Sequence, residues 1–168
     1  MDILLTASFK NGLFCNGLQQ NIVFLAELLS EIGHNPTLAI SHPKEDCIDP
    51  PSGINMIEES SIKHNSYDYL LNTSWLISEK DVLLMKNKNS RTKNIHIHYG
   101  NRMLADIEQC VRDDTRALSN KNVDEIWISP HYSISEQYLK SYYNNDRVLT
   151  IPYIWSPKYI DIHERIWN

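Results

Sequence analysis

A chain of 168 residues, 42% hydrophobic and 22% charged, is sized for one globular domain, and folding at that length buries about 70% of the surface the unfolded chain exposes. Sixteen Lys and Arg against 21 Asp and Glu leave a net charge of −5, without the basic footprint of a nucleic-acid or membrane-surface binder. Asp2 stands where a signal peptide keeps a basic residue, no run of about eighteen apolar residues offers a membrane span, and Cys15, Cys47 and Cys110 never form Cys-x-x-Cys, so a reducing compartment is expected.

Ile3-Leu4-Leu5-Thr6-Ala7 reads as a buried strand. Residues Asn16 to Ile32 read as a helix: Leu18, Ile22, Leu25, Leu29 and Ile32 recur at intervals of three and four, and Val23, Phe24 and Leu28 widen the stripe. Asn16 is a good N-cap with Gln19 placed for a capping box, Gly33 is a natural stop, and Pro36 prevents continuation. Thr37 to Ile40 is the next strand, and Pro50-Pro51-Ser52-Gly53 a surface turn before a short strand at Ile54 to Ile57. Tyr67 to Leu71 reads as a strand, and Ser78 to Lys88 as a helix with Val82, Leu83 and Met85 inward. Ile95 to His98 is strand-like, and Met103 to Leu118 helical through Leu104, Ile107, Val111 and Leu118. Glu125 to Ile128 is a strand, Ser133 to Tyr143 a helix and Val148 to Ile151 a strand. Alternation of strands with helices of this length predicts parallel pairing through right-handed crossovers, in a three-layer α/β/α sandwich with a mainly parallel Rossmann-like sheet.

In such a sheet ligands bind at the carboxyl ends of the strands, so the strand-to-helix loops carry the candidate chemistry. The first, Ser8 to Gly17, holds Asn11, Gly12, Asn16 and Gly17 and feeds a helix start that carries Gln20 and Asn21. Free backbone N–H groups there favour an anion such as phosphate. Neither Gly-x-Gly-x-x-Gly nor a P-loop is present, and a plain turn with a capped helix explains the loop equally well. His98-Tyr99-Gly100-Asn101 leaves a strand, and its glycine permits close approach of a ligand. His96 and His98 share a strand face, but no third ligand at metal-site spacing accompanies them, so no metal is expected. His131, in Ser129-Pro130-His131, is a candidate general base by its place at a strand end. The absence of Asp-x-Asp and of Gly-x-Ser-x-Gly weighs against single-domain metal-dependent sugar transferases and α/β-hydrolases. Asparagine is abundant and glycine totals only 5, a bias read as compositional rather than chemical.

In order along the chain, Asn16-Gly17-Leu18-Gln19-Gln20-Asn21 with Phe24-Leu25 and Leu28-Leu29, Tyr99-Gly100-Asn101 with Ile107-Glu108, Asp124-Glu125-Ile126-Trp127, and Pro152-Tyr153-Ile154-Trp155-Ser156-Pro157 resemble the amino-terminal half of GT-B glycosyltransferases. The likeness is to a glycosyltransferase-like family of bacteria and large viruses. It implies that residues 1–152 form a Rossmann-like acceptor-side domain and that 153–168 lead toward a carboxyl-terminal donor domain; this sequence is then either a piece of a longer polypeptide, the favoured expectation, or a reduced descendant that has lost transfer activity. It also implies transfer of a sugar from a nucleoside diphosphate sugar to a glycan or other acceptor, without an obligatory metal or further cofactor, in the cytoplasm (the host's, for a viral protein). By the same resemblance the Asn16-Gly17 loop borders acceptor and donor phosphates, and Tyr99, Gly100, Asn101, Glu108 and Trp155 line the cleft. The competing expectations are a stand-alone nucleotide- or sugar-binding module and a receiver-like interaction domain; Ser8 and Lys10 stand where the latter needs acidic residues.

Overall fold

The computed structural model describes residues 1–11, 17–48, 50–98 and 122–152, with Tyr142 by its backbone alone. The strands are β1 (Asp2–Ala7), β2 (Asn35–Ile40), β3 (Asn55–Glu58), β4 (Tyr69–Asn72), β5 (Lys93–His98), β6 (Glu125–Ile128) and β7 (Val148–Thr150). They form one seven-stranded sheet in the order β3-β2-β1-β4-β5-β6-β7, and every pairing is parallel. The helices described are α1 (Gly17–Glu31), α2 (Glu79–Lys88) and α3 (Glu136–Tyr143), joined by 3-10 turns at Lys44–Asp46, Glu59–His64 and Pro130–Ser135. The Rossmann-like α/β architecture expected from alternation is therefore the architecture observed.

Helix α1 lies on one face of the sheet. Its Ile22, Val23, Leu25 and Ala26 pack with Ile3, Leu5 and Ala7 of β1, Leu38 and Ile40 of β2, Leu71 of β4, and Ile95 and Ile97 of β5. Each such side chain, fully buried, contributes about 1.5–3 kcal/mol. The stripe predicted for α1 holds through Leu25 and thins beyond it: Leu28 is 37% and Ile32 59% exposed, Ile32 because it already sits in the turn that ends the helix. There Gly33 takes φ +86, its N–H donates to Ser30 O, and the N–H of His34 donates to Leu29 O, the Schellman closure for which glycine is suited. Asn144 does the same for α3 at φ 50.

The opposite face carries two clusters. Leu4, Ala39 and Leu70 meet Ile62 of the Glu59–His64 turn and Val82 and Met85 of α2. Ile126, Ile128 and Val148 meet Leu139 of α3. Leu83, expected inward, is 46% exposed, since only Val82 and Met85 fall on the side of α2 that meets the sheet. Ser78 caps α2 by accepting from the Asp81 N–H at 3.2 Å.

Two boundaries differ instructively from expectation. Strand β2 begins at Asn35 and so includes Pro36, which pairs with Ile3 of β1 alone, because β3 joins β2 only from Thr37 onward. Its missing N–H faces a side where β3 has no partner to offer. The last helix starts at Glu136 instead of Ser133, because the chain first winds a 3-10 turn from Pro130. The predicted helix Met103 to Leu118 lies outside the described residues, as does the segment 153–168.

Candidate functional site

The direction of strand addition reverses between β1 and β4. From β1 the chain moves outward through β2 to β3, then returns to lay β4 on the other side of β1. Loops leaving these two strands therefore diverge to opposite faces, and in open α/β sheets the ligand crevice lies between such loops at the carboxyl edge. Its walls are the start of α1 on one side and residues 73–78 on the other.

Thr6 shapes the second wall. Its Oγ1 accepts the Thr73 N–H at 2.8 Å, lies 3.2 Å from the Ser74 nitrogen, and donates to Trp75 O at 2.8 Å. The Thr73 hydroxyl donates in turn to Thr6 O, and the Trp75 indole N–H donates to Ala7 O at 3.1 Å. Thr6 is fully buried, and a buried hydroxyl must find partners. One hydroxyl at the end of an otherwise apolar strand thus ties the exit of β4 across the exit of β1. The signal in the sequence is the lone threonine within Ile3 to Ala7.

The first wall is anchored by His42. The Phe9 N–H donates to His42 Nε2 at 3.2 Å, and His42 Nδ1 lies 3.1 Å from Pro43 O. The imidazole is therefore the neutral tautomer with its hydrogen on Nδ1, assigned from these partners. The Ile48 N–H donates to Phe9 O at 2.7 Å, so the loops after β1 and β2 are clipped together around a fully buried Phe9. Beside this clip a hollow of about 220 Å³ opens at the carboxyl ends of β2 and β3, lined by Ser41, His42, Glu58, Glu59 and Ser60 among others. Cys47, a half-buried free thiol in the same loop, packs against the α1 core. Burial pushes its thiol upward, and the carboxylates of Asp46 and Glu45 add to that, against a smaller opposing effect of Lys44.

Of the predicted site residues, Asn11 is exposed at the outgoing end of the first loop, and Gly17, Gln20 and Asn21 form the first turn and a half of α1. Gly17 faces open space. Asn21 is engaged locally, its Nδ2 donating to Gly17 O at 2.8 Å. Gln19 turns its Nε2 back to Ser8 O, and its Oε1, though buried, has no hydrogen-bond partner among the described residues; Asn16, its expected capping-box partner, lies outside them. His131 lies in the turn after β6, exposed, its Nε2 3.4 Å from Ser129 Oγ and its ring against Tyr132. Three strand spacings separate β6 from β1, about 14 Å, so His131 and the α1 start share an edge but not a pocket. Gly12, Asn16, Tyr99, Gly100, Asn101, Glu108 and Trp155 lie outside the described residues. No group of His, Cys, Asp and Glu among the described residues is arranged to hold a metal, and no described helix is long and apolar enough to cross a membrane.

The histidines of β5 are buried inward. His96 and His98 stack edge to face at 4.3 Å, and the Tyr143 hydroxyl of α3 lies 2.6 Å from His98 Nε2. They bind α3 to the sheet.

Residues 3–167 match the family described as "Protein of unknown function (DUF2827)", and the chain belongs to that family. No curated protein matches it. Among solved structures, the Bordetella bronchiseptica enzyme WbmH in complex with NAD+ is similar at 12% identity and a TM-score of 0.42. The likeness covers 84% of this chain, which spans 63% of that one. At that level neither a cofactor nor an activity passes from one protein to the other.

Proposed function

We propose that this member of the DUF2827 family is the acceptor-side half of a GT-B type glycosyltransferase, which moves a sugar from a nucleoside diphosphate sugar to an acceptor. The observation that carries this is the reversal of strand order at β1 and β4 in an all-parallel sheet. It sets the amino end of α1 and the loop 73–78 on either side of one crevice, where this architecture holds its ligands. Gly17 and the preceding Asn11, Gly12 and Asn16 border the acceptor and the leaving diphosphate, whose charge the α1 amino terminus favours. Gln20 and Asn21 support that turn.

The hollow beside the His42 clip suits hydroxyl groups. Ser41 and Ser60 can donate or accept, and Glu58 and Glu59 accept. Tyr99, Gly100, Asn101, Glu108 and Trp155 form the cleft side of the proposal, and His131 is its candidate base. Because His131 stands on the β6 side, it serves an acceptor lying along the carboxyl edge rather than one buried between β1 and β4. The donor is held mainly by a second domain of the same polypeptide.

The test uses the full-length polypeptide with a panel of nucleoside diphosphate sugars, reading release of nucleoside diphosphate. Asn16→Ala and Asn101→Ala are expected to lower turnover while leaving the melting temperature in place; normal turnover in both removes them from the site. The 168-residue chain by itself is expected to bind nucleoside diphosphates weakly. Submicromolar affinity would overturn the assignment in favour of a stand-alone nucleotide-binding module.

A further inference from the structure

A second cavity, of about 320 Å³, lies at the opposite edge of the sheet from the crevice. Its floor is the α1 face at the amino ends of β1, β4, β5 and β6, and one wall is the last turns of α1. Leu25, Leu29, Tyr69, Leu71 and Trp127 supply an apolar lining with two aromatic side chains. Tyr69 and Trp127 stand two strands apart, and Tyr69 is level with Lys93 whereas Trp127 is level with Ile97; they face each other diagonally over β5, about 10 Å across the strands and about 13 Å along them, which leaves room for a flat ring between them. The volume is at the lower end of small-molecule sites, enough for one or two fused rings.

Charge decides what such a ring must carry. The Glu125 carboxylate at the rim is already engaged on both oxygens: Oε1 takes the Arg147 guanidinium, and Oε2 takes the Trp127 indole N–H at 3.1 Å. Lys93, on the same face of the neighbouring strand, makes no ion pair among the described residues. Asp68, whose backbone carbonyl receives the Lys93 N–H, directs its carboxylate to the Asp2 N–H and Asn89 instead. Among the described residues, an apolar slot is thus left with the Lys93 ammonium unpaired at its mouth, where Met1 with its amino group and the His34 ring also lie, so the rim is cationic on balance.

We propose that this cavity binds a compact aromatic monocarboxylate, its ring between Tyr69 and Trp127 and its carboxylate on the Lys93 ammonium. Apolar area supplies the attraction and the charge-assisted bond selects the anion. The site is independent of the crevice and of any transfer reaction there.

The probe is indole-3-carboxylate, titrated into the chain by calorimetry, with indole-3-methanamine as the charge-reversed comparator. Saturable one-to-one binding is expected, with the carboxylate favoured over the amine by about tenfold or more. Lys93→Met should cut the preference for the carboxylate at least about fivefold. Leu29→Trp, which fills the slot, should abolish binding of both, with circular dichroism confirming the fold. Equal affinity for the two ligands, absence of saturable binding, or binding indifferent to both substitutions overturns the proposal. Should Leu29→Trp not fold, the Lys93→Met comparison decides alone.

Discussion

Strand β5 is buried on both sides, yet its two faces are built from different chemistry. Toward α1 it presents Ile95 and Ile97; toward α2 and α3 it presents Asn94, His96 and His98, all 4% exposed or less. A central parallel strand ordinarily reads as a continuous apolar run because both faces are covered. Here one face is held by non-directional burial and the other by directional bonds. The Asn72 side chain of β4 donates to Asn94 Oδ1 at 2.6 Å and to Ile95 O at 2.9 Å, and accepts the Ile77 N–H at 2.8 Å. Asn94 continues the network, its N–H donating to Asp124 Oδ2 at 2.7 Å and its Nδ2 to Asn122 O at 2.9 Å. Asp124 in turn holds Lys86 at 2.9 Å. Both faces fix the register, since a shift of one residue would exchange them; the polar face adds to this because the shift would also strand every one of these groups without a partner.

The contrast can be broken by substitution on each face, and the largest effect belongs to the polar one. Asn72→Leu keeps the size but leaves the Ile77 N–H without its acceptor and Asn94 Oδ1 without its donor. At ~1–3 kcal/mol for each stranded buried group, the expected loss is about 3–5 kcal/mol in chemical denaturation. A loss under about 1 kcal/mol would show that water or a neighbour replaces the network. Ile97→Ala on the apolar face should cost about 3 kcal/mol through lost burial and a residual cavity. It should leave the loop 73–78 in place, as hydrogen exchange at Ile77 would report.

Thr6→Val sharpens the comparison at the crevice itself. It removes the acceptor of the buried Thr73 N–H and is expected to cost about 2 kcal/mol. Exchange at Thr73 and Ser74 should accelerate more than exchange in β1. The smallest effect is kinetic. Burial and two neighbouring carboxylates raise the Cys47 thiol above its ordinary range, so the reactive thiolate forms only at higher pH. In a Cys15→Ser, Cys110→Ser chain, alkylation of Cys47 at neutral pH should run slower than that of free cysteine and climb as the solution is made alkaline. A rate equal to free cysteine would contradict the burial.

Asparagine shows where composition misleads. Its abundance carries no chemistry as a count, yet particular asparagines perform backbone tasks: Asn72 and Asn94 bridge strands, Asn144 closes α3 in the left-handed region, and Asn145 donates to Val123 O at 3.0 Å. The side-chain amide matches a peptide group donor for acceptor, so it satisfies buried main chain where no neighbouring strand does. The cap at Asn144 is local in sequence, whereas the strand-bridging bonds of Asn72, Asn94 and Asn145 join residues more than twenty positions apart.

Strand and helix identities were legible because period-two and period-3.6 apolar spacing is a local property, and so was the stop at Gly33. Alternation also implied parallel strands, and hence the edge on which loops gather. Which loops face each other was another matter. That Thr6 would grip Thr73, that His42 would hold Phe9, and that His131 would stand three strands from α1 follow from strand order. Order depends on which crossover packs best over the whole sheet, a global competition among long-range contacts that no window of neighbouring residues encodes.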